Sequence, residues 1–215
     1  MAFIITVANA KGGVGKSTIT YGLACHYTTR GAKCAILDED IQQTISDNME
    51  MFIEREDPIE GIDLLDKANF PSYQALSKSE DHDIILIDTP PVLTTQLGDI
   101  YDVSDMVLIP IKPSTDDYNS LMRSIGTLRE VMERNKDLIV AIVLNMTVAS
   151  SNVQDSFREG FEGEERIQVL KTEIVNRVIH TKYKLYANSI FKTRDTGAKA
   201  EMAALGDEIY YLITL

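Results

Sequence analysis

The chain of 215 residues contains only two cysteines, no tryptophan and three histidines. Cys25 and Cys34 stand singly, one in a helical pattern and one at a strand, without the pairing that a disulfide framework or a cysteine-rich zinc site requires. They are expected as small buried groups in a reducing compartment. A cluster-carrying reductase needs cysteines facing a shared cofactor at a subunit interface, and Cys25 and Cys34 stand in the wrong elements for that. His26, His82 and His180 share no ligand spacing, so structural roles are expected of them. Long apolar runs are missing too: none approaches the ~20 residues that cross a bilayer, and no leader-type stretch opens the chain. A soluble, cytoplasmic protein is expected. Six prolines and twelve glycines are spread without a linker, repeat or low-complexity tract, which points to a single domain over residues 1–215, large enough to bury its own core. Positive charge is the minority, 21 Lys and Arg against 33 Asp and Glu, a net −12. That balance argues against nucleic acid as a partner until its distribution is considered.

What is present is a phosphate-binding order of elements. Phe3–Ala8 is an apolar run that reads as a strand, and Ile19–Arg30 carries Ile19, Leu23, Ala24 and Tyr27 at helical spacing. Between them stands Lys11-Gly12-Gly13-Val14-Gly15-Lys16-Ser17-Thr18. Glycines there let the backbone turn tightly and aim its N–H groups inward, and the new helix adds its positive dipole end. Lys16 is placed to reach the β- and γ-phosphates of a nucleotide, and Ser17 to set its hydroxyl on a bridging magnesium ion. The general motif asks for glycine at position 10 and finds Ala10; a second lysine, Lys11, follows instead.

Two further strands end in carboxylates. Lys33–Leu37 delivers Asp38-Glu39-Asp40, and Ile84–Ile87 delivers Asp88, followed by Thr89-Pro90-Pro91. In a parallel sheet the carboxyl ends of the strands form the ligand-binding edge, and an aspartate there can hold magnesium opposite Ser17. Met106–Ile109 and Leu138–Leu144 read as two more buried strands, so at least five alternate with helices. Ser114 and Asp117 form a capping pair before a helix with Tyr118, Leu121, Met122, Ile125, Leu128 and Met132 on one stripe, expected as core. Residues 41–80 read as a helix broken by Pro58, with short helical turns at Ile62–Leu65 and Tyr73–Leu76.

The box KGGVGKST resembles the deviant Walker A box of the ParA/MinD family of ATPases, and the IDTPP form around Asp88 resembles that family's Walker B strand. Asn176-Arg177, Asn188–Phe191, Gly197–Glu201 and the amphipathic last helix are similar to the tail of small, ParF-like ParA-type partition ATPases. The resemblance covers essentially the whole chain, weakest over 41–80 and 150–170. It implies an α/β, doubly wound, mostly parallel sheet with helices on both faces, the P-loop NTPase fold. It implies ATP and Mg²⁺ as ligands: Lys11 to Thr18 for the nucleotide, Asp40 to orient the attacking water, and Ser17, Asp38 and Asp88 around the metal. Asn145 matches a position used for adenine contact, and Pro110 and Pro113 match a turn leading into the helix after Ser114. Where the family commonly has proline after the second aspartate, this chain has Ile41.

The family's signature lysine, matched by Lys11, reaches the other subunit's nucleotide, so an ATP-dependent homodimer, or a polymer, is implied. A ParB-type centromere-binding partner that stimulates hydrolysis and a role in plasmid segregation are implied as well. Residues 171–199 carry seven Lys and Arg against Glu173 and Asp195, whereas residues 38–66 carry eleven acidic groups against Arg55. A basic block of this kind can be a solvated face or can contact DNA phosphates without reading sequence. The resemblance favours DNA, with Arg177, Lys182 and Lys184 as first candidates. Two other readings stay open: a MinD-like or other cargo- or membrane-positioning ATPase, and a nucleotide-binding scaffold with negligible hydrolysis. The stretch from Glu201 to Leu215 has no Lys or Arg, so no membrane contact is expected of it.

Overall fold

The computed structural model describes residues 1–66, 72–92, 95–148, 153–161, 163–164 and 166–214. Among them seven strands form one sheet: β1 (Phe3–Val7), β2 (Cys34–Asp38), β3 (Ile62–Leu65), β4 (Ile84–Asp88), β5 (Met106–Ile111), β6 (Ile139–Thr147) and β7 (Ile167–Val175). Their order is β3-β2-β4-β1-β5-β6-β7, and every pairing is parallel. The helices are α1 (Lys16–Thr29), α2 (Thr44–Glu54), α3 (Tyr73–Leu76), α4 (Thr95–Asp102), α5 (Thr115–Arg134), α6 (Val153–Glu159), α7 (Ile179–Lys182) and α8 (Thr196–Ile213). The doubly wound architecture expected from the sequence is the one found.

Successive residues of the central strands serve two different cores, because a strand turns alternate side chains to opposite faces. Ile5, Val7, Ile36 and Leu86 pack with α1, α2 and α8 on one face. Ile4, Ala35, Leu37, Ile85 and Ile87 pack with α4 and α5 on the other. Burial on both sides is what makes these strands continuous apolar runs. From β1 the chain crosses by α1 to β2, and from β4 it crosses by α4 to β5, in the opposite direction. Right-handed crossovers in opposite directions place their helices on opposite faces, which opens a crevice at the carboxyl ends of β1 and β4. Register sharpens this: Val7 pairs with Asp88, and Asp38 pairs with Asp88 on the other side.

Two strands, β3 and β7, add to the five read from the sequence, which expected at least that many. Three expectations are corrected. Ile62–Leu65 is the edge strand β3 rather than a helical turn, because its backbone completes the ladder of β2; Tyr73–Leu76 is the helical turn expected. Pro110 belongs to β5 rather than to a turn, lying beside Val143 of β6. On α5, Leu121, Ile125, Leu128 and Met132 are buried as the stripe requires, but Met122 is 40 % exposed.

Candidate nucleotide site

The chain leaves β1 and turns into α1 through two left-handed residues, Gly13 at φ 69° and Gly15 at φ 91°. Gly15 is the N-cap of α1, so the helix's unpaired N–H groups open onto the crevice. No side chain caps this end, which leaves the donors for a ligand. Lys16, the first residue of α1, is buried, and its Nζ lies 3.5 Å from the carbonyl of Lys11. Burial lowers the pKa of this ammonium, opposed by the charges of Asp88 and Asp40. A cation in that position, among inward donors, is built to gain from an anionic ligand.

Facing it, Ser17 donates from Oγ to Asp88 Oδ2 at 2.5 Å, and Thr20 Oγ1 lies 3.3 Å from Asp88 Oδ1. Asp88 is fully buried. Burial pushes its carboxyl up to about 7, with the Asp38 and Asp40 charges adding to the rise and the Ser17 hydrogen bond and Lys16 opposing it. A buried carboxylate held against two like charges is the arrangement a divalent cation would relieve. The hydroxyl and carboxylate oxygens are hard donors that suit magnesium. Among the described residues no cluster of three or more His, Cys, Asp or Glu forms a cage for a metal. An ion here would therefore be held by Ser17 and Asp88 together with phosphate oxygens and water.

Asp38 and Asp40 have different surroundings. Asp38 Oδ2 accepts from the backbone N–H of Ile45 (3.1 Å) and Ser46 (3.0 Å) and from the Ser46 hydroxyl (3.1 Å). Its other oxygen accepts from Asp40 N–H at 3.3 Å. In this arrangement Asp38 anchors the start of α2, and its charge is felt at Asp88. Asp40 stands at the mouth of the crevice, with Oδ1 accepting from Gln42 N–H at 3.0 Å. Ile41, beside it, is 88 % exposed.

Three residues to which the sequence reading gave no part in the site hold these segments. Glu39 bonds Tyr73 (2.8 Å) on α3 and Gln96 (3.2 Å) on α4, tying the loop after β2 to elements flanking β4. Asn9 donates to Pro110 O at 2.8 Å and accepts from Lys11 N–H at 2.9 Å. Asp117 is ion-paired to Lys11 at 2.8 Å. In the sequence all three pass for ordinary loop or capping polar residues. Asn145, at the end of β6, donates from Nδ2 to Val14 O at 2.6 Å and lies buried behind the phosphate loop. Its amide is committed to the loop's backbone.

The profile of the CobQ/CobB/MinD/ParA nucleotide-binding domain matches residues 5–189. The chain belongs to this family. Over 99 % of its length it is 27 % identical to the maintenance of carboxysome distribution protein A of Halothiobacillus neapolitanus, 95 % of which is covered. Its fold matches a plasmid partition protein of Borrelia burgdorferi bound to AMPPNP, with a TM-score of 0.75, 20 % identity and all of both chains covered. A cobyrinic acid a,c-diamide synthase from Mycobacterium smegmatis with bound ADP and magnesium has the same fold, with a TM-score of 0.75, 17 % identity, and 100 % and 96 % of the two chains covered. The matched region includes the loop from Lys11 to Thr18.

In the basic segment the three DNA-contact candidates have different surroundings. Arg177 makes a bidentate pair with Glu201, with Nη2 at 2.6 Å and Nε at 3.1 Å from Oε1, and Asp195 lies 3.9 Å away. Lys184 turns inward: its Nζ sits 5.5 Å from the centroid of the Tyr21 ring on α1. Burial lowers its pKa, opposed by the charges of Asp88 and Asp38. Sequence shows the charge of these side chains but not that a carboxylate or a ring folds over against them. Lys182 is exposed, as are Lys171, Lys192 and Arg194. Among the described residues no helix is long and apolar enough to cross a membrane.

Proposed function

We propose that the chain is a nucleotide-switched partition ATPase: it dimerises, or polymerises, with Mg-ATP, coats DNA without reading sequence, and is released when a ParB-type partner stimulates hydrolysis. The observation that carries this reading is one constellation: Lys16, Ser17 and Asp88 converge on a loop of free N–H groups, Asp40 stands at its mouth, and a second lysine, Lys11, leads the same loop. Ser17 and Asp88 would hold a magnesium ion, which would supply charge neutralisation for the phosphates. Lys16 contributes the second cation, and Asp40 orients water toward the terminal phosphate, which is the division of labour that phosphoryl transfer requires. Hydrolysis removes the phosphate that holds the subunits together, so binding energy differs between two assembly states.

The cargo is a plasmid in this reading. The full-length likeness to a carboxysome-distribution protein favours a second, in which the same switch spaces a protein-bounded cargo along DNA. Both share one test. Co-sedimentation with a non-specific duplex should be ATP-selective, should fall with salt, and should weaken when Lys182 and Arg194 are changed to alanine. Each phosphate-neutralising side chain removed should lower the slope of log affinity against log salt by about 0.9. Binding equal in ATP, ADP and no nucleotide, or none in any state while ATP still binds, would overturn the DNA-coating switch.

A further inference from the structure

Lys11 is held. Its Nζ lies 2.8 Å from Asp117 Oδ1, in the first turn of α5. Asp117 is 3 % exposed, and its two oxygens have separate duties. Oδ2 accepts from the hydroxyl of Ser114, the residue that caps α5. Oδ1 is buried and has no hydrogen-bond partner among the described residues, so the Lys11 ammonium is what neutralises it. Asn9 fixes the rest of the geometry by bonding both Lys11 N–H and the carbonyl of Pro110 at the end of β5. The start of the phosphate loop, the end of β5 and the start of α5 therefore meet at one ion pair.

We propose that Asp117 is the positioning residue that gates Lys11: in the nucleotide-free chain it keeps the lysine folded on its own subunit, and the dimer forms only when the phosphates of the facing subunit's nucleotide outcompete it. This rests on the dimer reading above. The physical reason is the burial of Asp117. An ammonium that leaves a buried carboxylate strands a charge in a low-dielectric site, and that opposes the crossing. The positive end of α5 lessens the penalty without removing it, since Asp117 lies in the first turn. A triphosphate carries enough charge to draw Lys11 away; a diphosphate, one phosphoryl group shorter, exerts a weaker pull from farther off. The ion pair thus becomes a threshold that separates the two nucleotides before any dimer contact is made.

Asp117→Asn removes the charge and keeps an amide oxygen for Ser114. Analytical ultracentrifugation of wild type, D117N, K11A and the K11A/D117N double variant, each without nucleotide, with ADP and with ATP, tests the gate. Wild type should dimerise with ATP alone. In D117N the protein concentration for half-dimerisation in ATP should fall about tenfold, an ordinary size for a single coupling contact, and dimer should appear with ADP. The double variant should lose this gain, because the gain passes through Lys11. An unchanged or raised threshold in D117N, or a gain that survives without Lys11, overturns the proposal while leaving the dimer reading intact. Wild type that stays monomeric in ATP overturns both. If D117N does not fold, ¹⁵N-detected spectra of lysine ammonium groups in the unsubstituted protein decide. A protected Lys11 ammonium that changes on adding ATP supports the gate, and one exchanging like the exposed lysines in both states overturns it.

Discussion

Replacing Gly15 by alanine is expected to abolish tight nucleotide binding and to lower the stability of the chain by about 3 kcal/mol. Two independent costs meet at this position. Its φ of 91° is a conformation that an L side chain rarely adopts, and a Cβ built on its backbone would lie 2.2 Å from Asn145 Nδ2. Asn145 has little room to withdraw, since it is buried and its amide donates to Val14 O at 2.6 Å. Relief must come from the loop, which then misdirects the N–H groups at the start of α1. Losing two charge-assisted hydrogen bonds costs roughly 3 kcal/mol or more, on the order of a hundredfold in affinity. Fluorescent-nucleotide titration and chemical denaturation measure the two effects separately. Adding Asn145→Ala should recover the part of stability lost to the clash, but not the part owed to φ, and should not restore binding. G15A that binds ATP like wild type would mean that the loop is not held in this conformation.

That pairing of Gly15 with Asn145, 130 residues apart in the chain, marks where sequence reading stops. The loop itself was legible because glycine spacing, a lysine and a hydroxyl between a strand and a helix are a local pattern with one chemical purpose. The β2 and β4 carboxylates were legible because buried parallel strands are continuous apolar runs, so a charge at their end stands out. The edge strands were not: the burial of β7 alternates irregularly between buried and exposed residues, and β3 has only four residues. Partnership was hidden as well. Asp117 passed as half of a capping box, and it is one, yet its other oxygen answers to Lys11 through a fold that brings residues 11 and 117 together. Arg177 and Lys184 passed as free charges for the same reason: a local run of basic residues does not reveal Glu201 or Tyr21. Patterns within one element survive in the sequence; the neutralisation of each charge is a property of the packed chain.

Asp88→Asn should stabilise the nucleotide-free chain at alkaline pH and remove its use of magnesium. An aspartate in an unfolded chain ionises near 4, whereas burial lifts Asp88 to about 7 in the folded protein. A raised carboxylate pKa means that the folded state binds the proton more tightly than the unfolded state. The stability this contributes is fully present below the unfolded pKa and is lost as pH rises through about 7. Above that point Asp88 is a buried anion beside Asp38 and Asp40, with Lys16 and the Ser17 hydroxyl as partial compensation. Asparagine has no charge to strand and can still pair with Ser17 and Thr20. Its melting temperature should therefore exceed wild type by about 5 °C at pH 8, with the gain shrinking steadily toward pH 4. Magnesium held on the same carboxylate would act in the opposite sense, since a metal binds the ionised form and releases the proton. Mg-ATP should stabilise wild type more at pH 8 than at pH 6, and D88N should show neither the extra stabilisation nor its pH dependence. Thermal scans across this range with and without Mg-ATP read both effects. A D88N chain that melts below wild type at pH 8 would mean that the Ser17–Asp88 contact outweighs the cost of the buried charge, and that the site stays closed rather than strained while it waits for nucleotide.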